Sequence, residues 1–111
     1  MAMGMNQVRK AILTLLLIAL PSGVLADYFD GNELKRLSES KRDVDVAVYR
    51  GYVAGVQDSF NGVLFCSHPD VRLSQAATVV SNYLASNPER WHLPARQLVG
   101  EALARAFPCK K

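Results

Sequence analysis

The first 26 residues differ in kind from the rest of the chain and confine any folded domain to a short segment. A basic pair at positions 9 and 10 precedes an apolar run over residues 11–20, which Pro21 ends. This order is typical of a secretory signal peptide, and the run is half as long as a membrane-spanning helix requires. We therefore predict cleavage after Ala26. Residues 27–111 would be exported as one domain without a membrane span.

The leader also carries most of the excess positive charge. The whole chain has 13 Lys and Arg against 10 Asp and Glu, and the basic pair of the leader leaves 11 against 10 in residues 27–111. A net charge of +1 gives no electrostatic basis for binding nucleic acid and excludes a highly charged disordered tail. A domain of this size also has too small a core to build a large catalytic cleft easily.

Two cysteines, Cys66 and Cys109, follow the leader. In an oxidising compartment, the two cysteines of a small exported domain most simply pair. They would close a loop of about 44 residues, which on the chain-entropy model stabilises the fold by roughly 4 kcal/mol. A redox pair and a metal site are the alternatives, but there is no Cys-x-x-Cys and the spacing to His68 is not that of a zinc finger. We expect a structural disulfide, with no metal and no cofactor.

Residues 27–111 contain no Ile and one Thr, and they are rich in Ala and Leu, which favours helix over sheet. Capping residues, prolines and a period of three to four residues predict four amphipathic helices. They cover residues 33–37, 43 or 45 to about 60, 73–86 and 94–107, with a tight turn over residues 88–92. The predicted fold is therefore all-α, a small bundle of about four short helices stapled by one disulfide.

The second predicted helix carries two neighbouring stripes with a four-residue period. One stripe is apolar and consists of Val44, Val48, Tyr52 and Val56; the other is small and consists of Ala47, Gly51, Gly55 and Ser59. Glycine inside a helix costs about 1 kcal/mol relative to Ala, which a close helix contact can offset. We expect Gly51 and Gly55 to line an internal helix-packing groove. A dimer seam is the alternative.

No set of residues forms a recognisable catalytic site. No glycine-rich turn precedes a serine, the cysteines are expected to be oxidised, and the clearly predicted helices carry no pair of acidic residues on one face. We therefore predict that the protein is not an enzyme.

Two loops have compositions that suit protein recognition instead. The candidate partner contacts are His68, Pro69 and Asp70 in one loop, and Glu89, Arg90, Trp91 and His92 in the other. Trp and Arg are enriched among the residues that anchor interfaces. Trp91 has a second interpretation, because a lone Trp in a small domain often covers one end of the core.

An ordered series of short motifs runs through residues 27–111. It consists of Leu34-x-x-Leu37, Gly51-Tyr52-x-x-Gly55-Val56-x-Asp58, Phe65-Cys66 followed by a Pro, Gln75 before Val79-Val80-x-x-Tyr83-Leu84, Asn87-Pro88-Glu89, and Ala102-Leu103-x-x-Ala106-Phe107-Pro108-Cys109. Each motif alone is weak. The ordered series resembles the Rap/Tai family, which comprises immunity proteins against type VI secretion amidase effectors.

The resemblance implies a small, all-helical periplasmic protein that is often a dimer. Such a protein would bind a peptidoglycan amidase effector and occlude its active site without chemistry of its own. The family usually carries a further pair of cysteines, and this chain departs from it near Ser38 and at Tyr49. A small periplasmic stress chaperone, or an orphan envelope binding protein of the same fold, is the alternative. A chaperone predicts graded binding to many clients, whereas an immunity protein predicts one saturable partner.

Overall fold

The computed structural model describes residues 27–110, and these form four α-helices. Helix α1 spans Gly31–Glu39, α2 spans Asp43–Phe60, α3 spans Leu73–Ser86 and α4 spans Ala95–Ala106, with a 3-10 turn at Pro88–Arg90. No strand occurs within this part of the chain. The predicted all-α class, the number of helices and the tight turn are confirmed. The predicted signal peptide, residues 1–26, lies outside the described residues.

The helix ends follow local capping chemistry. At the start of α1 the Asp30 carboxylate accepts a hydrogen bond from the backbone N–H of Glu33 at 2.9 Å, as an N-cap residue does. At the start of α2 the predicted position 43 is confirmed, but neither Asp43 nor Asp45 is the cap that the sequence suggested. Arg42 occupies the cap position, and both Asp43 and Asp45 lie inside the first turn, where a negative charge is favourable at the positive end of the helix dipole.

One core is built from all four helices and one loop residue. Its buried side chains are Leu34 and Leu37 from α1, Tyr49, Val53 and Val56 from α2, Ala76, Ala77, Val80, Tyr83 and Leu84 from α3, Ala95, Leu98, Val99, Ala102 and Leu103 from α4, and Phe65 from the loop between α2 and α3. Since every helix contributes to the same cluster, the fold does not depend on a single pair of helices.

Helix α2 buries a face that is rotated from its apolar stripe, so the first half of the stripe is exposed, whereas Val56 reaches the core and Tyr52 packs against it. Val44 and Val48 are 55% and 38% exposed, whereas Tyr49 and Val53 are buried. The Tyr49 hydroxyl donates to the carbonyl oxygen of Ala77 in α3 at 2.6 Å. Burial raises the pKa of Tyr49 to about 12. An inward tyrosine buries a large ring and still satisfies its hydroxyl, which favours this rotation of the helix.

The prediction that Gly51 and Gly55 line an internal packing groove is wrong. Both glycines are exposed, and a Cβ built on either would meet no atom within 4 Å. The small stripe follows the four-residue period of a helix, but the rotation that buries Tyr49 turns it toward solvent.

Gly31, in contrast, lies where a side chain cannot fit. A Cβ at this position would be 2.5 Å from both the Cδ1 of Leu98 and the carbonyl oxygen of Trp91. The backbone N–H of Gly31 also donates to the carbonyl oxygen of Leu93 at 2.8 Å. The first turn of α1 therefore packs directly on the chain that leads into α4.

Alanine at Gly31 and alanine at Gly51 should have opposite effects on stability. We expect Gly31→Ala to lose on the order of 1–3 kcal/mol, because the added methyl displaces backbone and core atoms. At a dilution that keeps the protein monomeric, Gly51→Ala should gain up to about 1 kcal/mol from helix propensity, since nothing within the chain opposes the methyl. Urea denaturation followed by circular dichroism measures both, and a less stable Gly51→Ala would contradict the exposed placement of that residue.

A charged junction joins the end of α1 to the start of α2. The buried Asp45 accepts a hydrogen bond from the Ser40 hydroxyl at 2.7 Å, and the guanidinium groups of Arg36 and Arg42 lie 3.5 and 3.8 Å from its carboxylate. The Ser40 hydrogen bond, with the charges of Arg42 and Arg36, holds the pKa of Asp45 below its ordinary value. The junction therefore favours the ionised carboxylate.

This lowered pKa predicts acid sensitivity at the junction. A carboxyl whose pKa is lower in the folded state contributes stability at neutral pH and loses it as the pH falls below about 4. Asp45→Asn keeps the shape and removes the charge. We expect the difference in melting temperature between wild type and variant to be largest near neutral pH and to narrow in acid. A difference independent of pH would show that the charge is not the stabilising element.

Candidate partner-binding surface

The turn that follows α2 exposes three apolar side chains. Phe60, Val63 and Leu64 are 38%, 74% and 55% exposed, whereas the next residue, Phe65, is completely buried. We call residues 60–64 the apolar knuckle. A cluster of exposed apolar side chains at one turn is a feature of interaction sites more than of an inert surface.

The knuckle is held in one shape by its own backbone. Gly62 adopts a positive φ of 87°, a conformation open to glycine at little cost. Its N–H donates to the carbonyl oxygen of Phe65 at 2.7 Å, and the N–H groups of Val63 and Leu64 donate to the carbonyl oxygen of Phe60 at 2.9 and 3.0 Å. The knuckle is thus a closed turn.

A disulfide anchors the knuckle to the end of α4. Cys66 and Cys109 are bonded, which confirms the predicted pairing. The Cys66 N–H also donates to the carbonyl oxygen of Phe107 at 2.8 Å, and the N–H of Ser67 donates to the side-chain oxygen of Asn61 at 3.0 Å. Covalent and hydrogen bonds together fix this loop against α4.

A groove runs between the knuckle and α4. It has a cavity volume of about 380 Å³ and is lined by Phe60 and Leu64 of the knuckle and by Arg96, Gln97, Gly100, Glu101 and Ala104 of α4. A Cβ built on Gly100 would lie 3.9 Å from the Cδ1 of Leu64, so the leucine leans over the glycine. Knuckle and groove form one continuous surface.

The charged residues beside the groove are paired within the protein. Glu101 accepts hydrogen bonds from the Tyr83 hydroxyl at 2.6 Å, from the Arg90 guanidinium at 3.0 Å and from the Gln97 amide at 3.0 Å. Burial raises the pKa of the Glu101 carboxyl, but these three hydrogen bonds outweigh it and leave the net pKa below its ordinary value. Arg96 pairs with Asp27 at 3.0 Å.

The two groups of predicted contact residues lie at opposite ends of α3. His68, Pro69 and Asp70 are exposed in the loop that follows the knuckle. The turn with residues 89–92 follows the other end of the helix, whose 14 residues span about 21 Å. The structure therefore does not bring the two groups together, and only the first is continuous with the knuckle.

In the turn at residues 89–92, two side chains are exposed and two are engaged within the protein. Glu89 and His92 are exposed, whereas Arg90 is bound to Glu101. Trp91 is half-buried and packs against the core, and its indole N–H donates to the carbonyl oxygen of Leu84 at 2.7 Å. This environment favours the interpretation of Trp91 as a cover for the core.

The sequence analysis missed the apolar knuckle. Asn-Gly is a turn signal, and at positions 61 and 62 it is followed directly by the apolar run Val63-Leu64-Phe65. A sharp turn cannot direct three consecutive apolar side chains to one side, so the run itself was the available signal that some of them must be exposed.

Residues 27–110 contain neither a cluster of metal ligands nor a helix that could span a membrane. No three His, Cys, Asp or Glu side chains there are grouped so that they could hold a metal ion. Within the same residues, the helices are too short or too polar to cross a membrane.

Comparison with known proteins provides a family. Residues 30–109 match the Rap1a immunity proteins. The chain belongs to this family. The match covers nearly all of the described structure, from the cap of α1 to the second cysteine of the disulfide, and it agrees with the resemblance to Rap/Tai immunity proteins. No functionally curated protein gives a significant match.

Substitution of Trp91 tests whether its ring covers the core. We expect Trp91→Ala to destabilise the fold by about 2 kcal/mol, because the substitution removes the half-buried ring and its hydrogen bond to α3. His92→Ala, at an exposed neighbouring position, is the matched control and should leave stability within about 0.5 kcal/mol of wild type. Thermal and urea unfolding measure both, and equal stabilities would place the indole ring outside the core.

Proposed function

We propose that this protein is a periplasmic immunity protein that binds a type VI secretion peptidoglycan amidase effector and occludes its active site. The observation that carries the proposal is membership in the Rap1a immunity family over residues 30–109. An immunity protein has an effector as its partner. The motif series described above supports an amidase as that effector.

Two features support the periplasm as the site of action. Residues 1–26 have the charged, apolar and small-residue order of a signal peptide. The disulfide between Cys66 and Cys109 is of the kind that persists in an oxidising compartment. An amidase that cleaves peptidoglycan would also meet its inhibitor there.

Occlusion is the mechanism that the described residues support. A protein that blocks an active site needs a surface whose shape is set before binding, because ordering a loop on binding costs affinity. The closed turn of the knuckle and its disulfide anchor provide such a surface. Family membership also favours binding over catalysis, since immunity proteins of this kind are generally not enzymes.

The proposed contacts include His68, Pro69 and Asp70, which extend the knuckle surface. Glu89 and His92 at the far end of α3 are exposed and stay in the proposal as secondary contacts. Arg90 and Trp91 are engaged within the protein, so they would reach a partner only with their remaining exposed atoms.

The family resemblance also implies a protein that is often a dimer, and the outer face of α2 is the surface that we propose for a homodimer. This face carries the exposed Val44 and Val48 and the unobstructed Gly51 and Gly55. Small residues let two helices approach closely. Light scattering coupled to size exclusion would show the mass of a dimer for wild type and a monomer for Gly51→Glu if this face is the seam.

The proposed function is tested by capture and inhibition. Residues 27–111, purified without reductant, would be used to capture partners from the secreted proteins of the same strain. We expect recovery of a single amidase whose hydrolysis of purified peptidoglycan stops at a stoichiometric amount of the captured protein. Graded binding to many unfolded clients would instead support the chaperone alternative, and capture of no amidase would contradict immunity against this class of effector.

A further inference from the structure

We propose that the junction between α1 and α2 is an acid-operated latch, which in acid releases the C-terminal end of α1 while the other helices stay packed. The latch consists of Arg36 on α1, Ser40 and Arg42 in the link between the helices, and Asp45 on α2. It lies at the start of α2, whereas the apolar knuckle follows the end of this 18-residue helix, about 27 Å away. The latch is therefore a device separate from the knuckle.

The link between α1 and α2 has no buried side chain of its own. Leu37 and Asp45 are buried, but every side chain over residues 38–44 is exposed or half-buried. Asp45 is also the one buried charged or polar residue within residues 27–110. The link is therefore fastened by the hydrogen bond and the ion pairs of Asp45, because it has no apolar core contacts that could replace them.

Two guanidinium groups share the single carboxylate of Asp45. Those of Arg36 and Arg42 lie 3.5 and 3.8 Å from the same carboxylate oxygen, so the two cations are held close to each other. Once that carboxylate is protonated, the two cations repel each other without a compensating charge. Glu33 also pairs with Arg36 on α1, but acid neutralises this carboxylate as well. Within residues 27–110, α3 and α4 place no charged side chain at ion-pair distance from Asp45.

The N-terminal end of α1 has attachments that do not involve the latch. Gly31 packs against the chain before α4, and its N–H donates to the carbonyl oxygen of Leu93. Asp30 forms an antiparallel bridge with Pro94, and Leu34 is completely buried. These contacts hold no ionisable group against a buried charge. They stay in place when the latch opens, so α1 is released from its C-terminal end.

The direction of the response follows from the folded-state chemistry of Asp45. The Ser40 hydrogen bond, with the charges of Arg42 and Arg36, holds the pKa of this carboxyl below its ordinary value. A carboxyl of this kind stabilises the closed state at neutral pH and loses that effect as the pH falls below about 4. The latch is therefore closed at neutral pH and opens in acid.

The test measures local opening by hydrogen exchange and mass spectrometry on the 27–111 protein. Asp45→Asn imitates the protonated carboxyl at neutral pH, and Asp43→Asn is the matched control, because it removes an equal charge from the same turn of α2 outside the latch. For Asp45→Asn we expect exchange over residues 36–42 to be at least ~10-fold faster than in wild type, with α3 and α4 within about twofold. Asp43→Asn should stay within about twofold throughout.

Two further measurements test the driving force and the pH response. Adding Arg36→Gln to Asp45→Asn removes one of the two facing cations, so exchange over residues 36–42 should return to within about threefold of wild type. In wild type, lowering the pH from 7 to about 3 should open the same residues, after correction for the intrinsic pH dependence of exchange. This second measurement needs no variant to fold.

Three outcomes would overturn the latch. Equal loss of protection in all four helices would show that the junction unfolds only with the whole domain. Unchanged exchange over residues 36–42, in Asp45→Asn or in acid, would show that Asp45 does not fasten α1. Exchange that stays fast after Arg36→Gln would exclude repulsion between the cations as the driving force. Since no amidase enters these measurements, they stand or fall apart from the proposed function.

Discussion

Burial of Phe65 is the constraint on which the whole loop between α2 and α3 depends. It is the largest of the fully buried side chains and the one core residue in the described chain that lies outside the helices. With Phe65 inside, the preceding Val63 and Leu64 must face solvent, and the following Cys66 is brought to the end of α4, where Cys109 completes the disulfide. One buried ring thus sets both the exposed apolar surface and the covalent anchor that holds it.

Packing and hydrogen bonds connect α1, α2 and α3 at the place where the family usually has a second disulfide. The family pattern predicts cysteines near Ser38 and at Tyr49, and these two residues line the same small cavity between α1, α2 and α3. Here the ring of Tyr49 fills the position, and its hydroxyl donates a hydrogen bond to α3. A hydrogen bond from the Ser40 hydroxyl to the Asp45 carboxylate connects the end of α1 to α2. Packing and hydrogen bonds therefore connect the first helix to the others, and the junction depends on the ionised carboxylate of Asp45.

The two ends of α3 differ in a way that bears on binding. At the end with the 3-10 turn, the side chains are held by contacts within the protein. Arg90 is paired with Glu101, and the indole N–H of Trp91 donates to the carbonyl oxygen of Leu84. Gly31 packs against the backbone of Trp91. The end at the knuckle exposes apolar side chains on a rigid turn and lacks charge over residues 59–69. The first arrangement stabilises the protein, whereas the second leaves apolar side chains exposed at its surface.

Much of the fold follows from the sequence itself, because the relevant signals are local. Apolar spacing and capping residues indicated four helices and most of their ends, and two cysteines after a predicted signal peptide indicated the disulfide. The ordered motifs also determined the family, since they span the whole domain.

Only the tertiary structure decided which surfaces face inward. On α2 the two stripes have the same period, so the spacing could not tell how the helix is rotated about its axis. The inward Tyr49, whose hydroxyl donates to the carbonyl oxygen of Ala77, sets a rotation in which Val56 reaches the core and Gly51 and Gly55 face solvent. Arg90 likewise has the composition of an interface residue in the sequence, but in the structure its guanidinium donates to the carboxylate of Glu101, 11 positions away. Such choices depend on partners that are distant in sequence, and only packing in three dimensions brings those partners together.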